Sequence, residues 1–168
     1  MVGRFGTALL KPANADQDAI PSIGEIGLNH FAPYLINRIS ARWTADMQEA
    51  LKPFELTTAK MRTLAVLTIT PGMTANDLAL HTITEQSTMS RTLDTLEAQG
   101  LVRREQADAD SRVRRVFLTD DGRAEFSRAW PAMHDGFEAM FDGIDDAEYA
   151  ALIATLQKML RNIRKHDI

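Results

Sequence analysis

Apolar positions between residues 73 and 119 change from a helical to an alternating pattern, which predicts two helices followed by a β-hairpin. In the first helix, Thr74 and Asp77 have the spacing of a capping box. Thr84 is predicted to cap the second helix, which ends just before Gly100, a residue typical of helix ends. A short helix, a tight break and a longer helix together form a helix-turn-helix.

The second helix has one apolar side and one polar side. Met89, Leu93 and Leu96 follow helical spacing and are predicted to pack inward. The opposite side, which also carries Asp94, has hydroxyl and guanidinium groups that suit phosphates and base edges. An ordinary solvated helix has the same pattern, but the neighbouring helix and basic hairpin favour DNA binding. The residues predicted to contact DNA here are Gln86, Ser87, Thr88, Arg91 and Thr95.

The predicted hairpin consists of two strand-like runs, 101–106 and 113–119, joined by a loop at residues 107–112. Arg112 lies in this loop and is predicted to reach a minor groove, where narrow A·T tracts concentrate negative potential. The alternative is a charged edge that prevents unwanted strand pairing. Because residues 84–115 contain six Arg, no Lys and six Asp or Glu, attraction to DNA depends on where the arginines point. The hairpin arginines are Arg103, Arg104, Arg112, Arg114 and Arg115.

These segments resemble the MarR/SlyA-type family of transcriptional regulators, winged-helix proteins that bind palindromic operators as homodimers. The similar runs are TEQSTMSRTLDTLEAQGLVRR and DADSRVRRVFLTDDGRAEF, and the resemblance extends over about residues 28–166. It implies a mainly α fold with a small β-hairpin wing, in which a winged helix-turn-helix is joined to terminal dimerisation helices.

Carried over by position, the resemblance assigns roles to individual residues. The wing-tip arginine of the family corresponds to Arg112, and the acidic residue that helps to order the wing corresponds to Asp110. Many members have a second basic residue where this chain has Ser111. The groove-facing residues of the family correspond to Ser87, Thr88 and Arg91.

Composition narrows the possible regulatory mechanisms. The chain has 168 residues, of which 45% are apolar and 25% charged, as in an ordinary soluble protein. It has no cysteine, which excludes disulfides and the thiol-based peroxide switch of some family members. Its four histidines are scattered over different elements, so neither a metal site nor any cofactor is predicted. No apolar run is long enough for a bilayer and the start makes a poor signal peptide, so a cytoplasmic location without membrane association is predicted.

The pattern divides the chain into three regions. Residues 1–27 lack sustained periodicity and are predicted to form a flexible arm. Residues 28–52 and 122–168 are predicted to form a helical dimerisation region, and residues 53–121 the winged helix-turn-helix domain that binds DNA.

The terminal helices carry more apolar surface than one small winged-helix module can cover. A helix predicted from about Asn29 to Lys52 has large residues spaced by four, which predicts burial along its full length. The last helix, which Asp145 opens, has a broad apolar face. Pairing with a second copy of the chain is the simplest way to bury it. Trp43 and Met47 are candidates for lining a small-molecule pocket, the alternative being that they are ordinary core residues, and the resemblance implies either an aromatic acid as the ligand or no ligand at all. The spaced residues of the first helix are Phe31, Leu35, Ile39, Trp43, Met47 and Leu51.

The sequence therefore predicts a DNA-binding transcriptional regulator, a ligand-responsive repressor that acts as a homodimer on a pseudo-palindromic operator. Its predicted partners are double-stranded DNA, a second copy of itself and a small organic effector. No enzyme is expected, because no acid–base or nucleophilic set is visible. The alternatives are a low-specificity architectural DNA-binding protein and a protein-interaction module. The net charge of −4 favours the interaction module, whereas Arg91 and Arg112 favour DNA.

Overall fold

The computed structural model describes residues 23–107 and 110–163, without the side chains of residues 25, 107 and 110–112. The chain divides after Ala45 into two units. The first unit contains α1, a short 3₁₀ turn and the beginning of α2, and the second contains the end of α2 and all later elements. The predicted flexible arm, residues 1–27, lies mostly outside the described residues, and its last part forms α1, which was not predicted. The bounds of these two helices are α1 (Ile23–Ile26) and α2 (Ala32–Leu51).

The second unit is mainly helical and contains one small antiparallel sheet. Its order of elements confirms the predicted fold class, a mainly α winged helix with a β-hairpin. Helix α2 begins three residues later than predicted, after the 3₁₀ turn. Its proline lies in the first turn, where a residue without a backbone N–H costs no hydrogen bond within the helix. The elements after α2 are α3 (Thr58–Ile69), β1 (Met73–Thr74), α4 (Ala75–His81), α5 (Gln86–Ala98), β2 (Val102–Ala107), β3 (Asp110–Leu118), α6 (Asp120–Met140) and α7 (Asp146–Ile163).

The strands lie in the order β1–β3–β2, and both pairs are antiparallel. The predicted loop at residues 107–112 is wrong, because Ala107 pairs with Asp110 after a register shift at Gln106. Backbone pairing therefore extends into a polar segment whose composition favoured a loop, since strand pairing depends on context more than on side-chain type. Strand β1 was not predicted, because two residues are too few to show alternation.

Polar side chains cap the starts of several helices, and those of α4 and α7 lie where the sequence predicted them. Thr57 accepts a hydrogen bond from the backbone of the third residue of α3. Thr74 and Asp77 form the predicted capping box, in which each side chain accepts from the other residue's backbone N–H. Asp145 and Glu148 are bonded in the same reciprocal way at the start of α7. These local contacts fix where each helix begins.

The prediction that Thr84 caps α5 is wrong. The N-cap residue is Glu85, whose side chain makes no capping hydrogen bond. The Thr84 hydroxyl oxygen instead lies 3.1 Å from the Thr82 hydroxyl oxygen, and it donates to the Thr82 carbonyl at 3.3 Å. Between them, Ile83 has a left-handed backbone with φ 55°, which directs Thr84 back toward the end of α4.

The core of the second unit lies among α3, α4, α5, α6 and the sheet. The predicted inward seam of α5, formed by Met89, Leu93 and Leu96, is completely buried and is confirmed. The helix-turn-helix and the hairpin therefore share one core. The other apolar residues that are nearly or completely buried in these elements are Met61, Leu64, Leu67, Leu78, Ala79, Val102, Val116, Leu118 and Ala129.

The apolar seam of α2 is buried only toward its end. Met47 and Leu51 are buried, and they are the buried residues of this fully described helix. Burial along the full length of α2 is therefore wrong for a single copy of the chain. The large apolar residues exposed earlier in the seam are Phe31, Leu35 and Ile39.

Candidate nucleic-acid interface

The orientation of α5 is fixed by its buried side. Met89, Leu93 and Leu96 pack among α3, α4 and β2, and the Thr63 hydroxyl oxygen lies 3.9 Å from Met89 Sδ. Because protein cores are closely packed, α5 cannot rotate about its axis without opening this core. Its opposite side is therefore held outward.

Gly100 fixes the turn from α5 into the hairpin. Its φ of +70° lies in the left-handed region, which glycine adopts without a steric cost. The N–H of Gly100 donates to the carbonyl of Glu97, and the N–H of Leu101 donates to that of Leu96, both at 2.9 Å. This is the Schellman arrangement, which ends the helix sharply, so that β2 returns alongside α5.

The α5 residues predicted to contact DNA all have exposed side chains. The Thr95 hydroxyl donates to the Arg91 carbonyl at 2.8 Å. While this bond is made, the hydroxyl can only accept a hydrogen bond from a ligand. Within the described part of the chain, no hydrogen bond or ion pair engages the Arg91 guanidinium. That group is available to bind a base edge or a phosphate. The exposed set is Gln86, Ser87, Thr88, Arg91 and Thr95.

Several of the hairpin arginines bind within the protein rather than pointing into solvent. Arg103 donates to a backbone carbonyl of β3 at 3.0 Å and to Glu105 at 2.7 Å. Arg115 donates to the carbonyl of Gly72, beside β1, at 2.9 Å. Arg114 is exposed and has no such partner among the described residues. The number of arginines in the sequence therefore overstates the positive charge that is free to meet DNA.

Arg104 connects the hairpin to α5. Its guanidinium lies 2.7 Å from an Asp94 carboxylate oxygen and 3.2 Å from a Glu97 carboxylate oxygen. Its backbone N–H also donates to Glu97, at 3.1 Å. Sequence reasoning missed this cluster, because no spacing rule relates a helix position to a residue in the strand that follows it.

Two of the predicted wing residues fall outside the described side chains. The backbones of Asp110 and Arg112 belong to β3, but their side chains lie outside the described part of the structure. Their roles in ordering the wing and in contacting the minor groove stay predictions.

The residues predicted to line a ligand pocket lie one turn apart on α2. Met47 is buried and Trp43 is half-buried. A surface pocket of about 400 Å³ lies near the start of α3, and neither Trp43 nor Met47 lines it. Their role in ligand binding stays a prediction. The pocket is lined by Gln48, Leu56, Thr57, Thr58 and Ala59.

The described residues contain neither a metal-binding cluster nor a helix that could span a membrane. Within residues 23–107 and 110–163, no three His, Asp or Glu side chains are grouped so that they could hold a metal ion. No helix in the same part of the chain has the length and apolar character needed to cross a membrane.

Comparison with known proteins matches the helix-turn-helix and hairpin to an established family. The MarR family model matches residues 54–113. A MarR family transcriptional regulator from Silicibacter pomeroyi is 47% identical to this chain, with a TM-score of 0.83. That match covers 88% of this chain and 100% of the solved chain.

Two further solved structures have lower identity and carry functional descriptions. The transcriptional repressor CouR, solved bound to a 23-mer DNA duplex, is 25% identical, with a TM-score of 0.69 and coverage of 84% of this chain and 99% of that one. BpsR of Bordetella bronchiseptica, whose DNA binding is regulated by 6-hydroxynicotinic acid, is 28% identical, with a TM-score of 0.67 and coverage of 76% and 97%. These matches confirm the resemblance predicted from the sequence.

Proposed function

Because this chain belongs to the MarR family of transcriptional regulators, we propose that it is a repressor that binds a pseudo-palindromic DNA site as a homodimer. In this arrangement the two copies of α5 enter successive major grooves, and the hairpins lie over the neighbouring minor grooves. CouR, a repressor of similar fold that is solved on a DNA duplex, supports the proposal.

The free polar face of α5 is the observation that carries this proposal. Ser87 and Thr88 lie in the first turn, where backbone N–H groups and the helix dipole favour a phosphate. Arg91 follows one turn later, exposed and without a partner among the described residues. Because the other side of α5 is anchored in the core, these groups need no rearrangement to meet a groove. The proposed DNA-contacting residues are Gln86, Ser87, Thr88, Arg91, Thr95 and, on the wing ordered by Asp110, Arg112.

Replacing Arg91 with Ala tests the proposed base contact. We expect operator affinity to fall by roughly 1–3 kcal/mol and the preference at one base position to relax. The melting temperature is expected to stay nearly unchanged, because the side chain is exposed. Affinity is measured by fluorescence anisotropy, over a salt series, on an operator that the wild-type protein selects from genomic fragments. Lys52→Ala is the matched control, since it removes an exposed cation outside α5 and the hairpin.

Three outcomes would contradict the proposal. An Arg91→Ala protein with wild-type affinity would mean that Arg91 makes no contact with DNA, and a wild-type protein that selects no genomic fragment would mean that α5 is not used on DNA. The winged helix would then be a protein-docking surface, the alternative that the net charge of −4 favours. Equal affinity for the operator and a random duplex would mean an architectural protein of low specificity.

We also propose that a small aromatic acid is the effector and that Trp43 and Met47 line its pocket. Regulation of BpsR by 6-hydroxynicotinic acid supports this class of ligand. The chain contains no cysteine, so thiol oxidation is not the signal. A ligand that binds better to a dimer with a different spacing between its DNA-reading lobes lowers operator affinity by shifting the population of states.

A thermal-shift panel of aromatic carboxylic acids tests the effector. A ligand that binds the folded protein raises its melting temperature by mass action, and the same compound is expected to lower operator affinity. Trp43→Ala is expected to lose this response, whereas Trp130→Ala, which removes an exposed tryptophan of α6, is expected to keep it. An equal shift in both variants contradicts the assigned pocket. Reversible DNA release by zinc or peroxide at low concentration contradicts the ligand class.

We further propose that the protein acts in the cytoplasm on DNA and has no enzymatic activity of its own. The similar proteins described above are regulators, which supports this proposal.

A further inference from the structure

The carboxylates of Asp94 and Glu97 lie on α5 close to its polar face. Asp94 follows Arg91 by three residues and precedes Thr95, so it shares the exposed side of the helix. The Asp94 side chain is 62% exposed and that of Glu97 40%. On a helix that approaches phosphates, two such negative charges repel the ligand.

Arg104 supplies the compensating charge from β2. Its side chain is only 18% exposed and its guanidinium bridges both carboxylates, so it is held in place rather than free in solvent. Because both carboxylates stay more than a third exposed to solvent, these ion pairs contribute little to folding stability. Charged groups on a surface that approaches DNA affect DNA affinity more than they affect folding stability, because duplex DNA carries one negative charge for about every 1.7 Å of its axis.

We propose that Arg104 is a positioning residue for DNA binding. It neutralises the Asp94 and Glu97 carboxylates on the DNA-reading side of α5. This inference rests on the proposed function and assigns Arg104 a role other than direct phosphate contact.

A set of charge variants tests whether Arg104 acts by neutralising the two carboxylates or only by holding β2 against α5. We expect Arg104→Ala to weaken operator binding about tenfold or more while the protein stays folded. Adding Asp94→Asn and Glu97→Gln to this variant is expected to restore most of the lost affinity. The two carboxylate changes alone are expected to tighten binding, because Asn and Gln keep a carbonyl oxygen that accepts from Arg104 while the negative charges are gone.

The readouts are operator affinity by fluorescence anisotropy over a salt series, and melting temperature. Arg104→Gln, which keeps two N–H donors without the charge, replaces Arg104→Ala if the latter does not fold. Wild-type affinity in these variants, or a triple variant no better than Arg104→Ala, overturns the inference. A wild-type protein that binds no DNA contradicts the proposed function instead. Affinity lost in Arg91→Ala but kept in Arg104→Ala contradicts only the role of Arg104.

Discussion

Ile83 occupies a backbone conformation that suits a different type of residue. Its φ of 55° is left-handed, and a β-branched side chain is crowded there. The side chain is 89% exposed, so it gains little from burial. The turn is held by its neighbours, including a hydrogen bond from the Thr84 N–H to the Ala79 carbonyl at 2.9 Å. The turn between α4 and α5 therefore holds local strain that the surrounding core outweighs.

Ile83→Asn is expected to raise the free energy of unfolding by about 1 kcal/mol, because Asn tolerates the left-handed region better. Ile69→Asn is the matched control, since Ile69 is 83% exposed and is the last residue of α3, where the backbone is not left-handed. The control is expected to show no gain. Both values come from chemical denaturation, and an Ile83→Asn protein no more stable than the wild type would show that the turn is unstrained.

At the scale of elements, the first turn of α6 lies directly against the junction of α5 and β2. A Cβ atom on Gly122 would lie 1.9 Å from the carbonyl oxygen of Leu101, so only glycine fits. Thr119 stabilises the same junction with two hydrogen bonds. Its hydroxyl accepts from the Gly122 N–H at 3.0 Å and donates to the Gly100 carbonyl at 2.6 Å. The end of α5, the start of β2 and the start of α6 therefore meet at one point.

Gly122→Ala is expected to lower the free energy of unfolding by about 3 kcal/mol, the upper end of the usual cost of overpacking, because a Cβ 1.9 Å from a carbonyl oxygen forces the backbone of one element to move. Gly100→Ala serves for comparison, since no atom lies within 4 Å of its added Cβ and only the left-handed φ is penalised, by about 1 kcal/mol. Denaturation of both variants gives the comparison. A Gly122→Ala protein as stable as Gly100→Ala would contradict the close approach.

Local sequence rules predicted those elements whose determinants lie within a few residues. The capping box of Thr74 and Asp77 and the buried seam of α5 are both of this kind, and both are confirmed. The start of α5 was misplaced because it depends on the left-handed turn at Ile83, which no spacing rule predicts. The partners of Arg104 depend on how a strand returns beside a helix, and the longer hairpin depends on backbone pairing across two strands.

At the scale of the whole molecule, a single copy leaves apolar side chains exposed on its last helix. They recur every three or four residues, so they form one stripe along α7. Exposed apolar stripes of this kind commonly mark interaction surfaces, and a symmetric second copy is the simplest cover. The same argument applies to the exposed seam of α2. The residues of the α7 stripe are Leu152, Leu156, Leu160 and Ile163.

Leu156→Glu is expected to shift the proposed dimer toward monomer, because twofold symmetry places the new carboxylate in the interface twice and burial of an unpaired charge is costly. Gln157→Glu adds the same charge at the next exposed position of α7 and is expected to leave the dimer intact. Light scattering after gel filtration, over a range of protein concentrations, gives the mass of each protein. The monomeric variant is expected to lose tight operator binding, since only one recognition helix then engages the DNA. Equal dimerisation of the two variants would place the interface elsewhere, and a monomeric wild type that still binds the operator tightly would contradict the dimer itself.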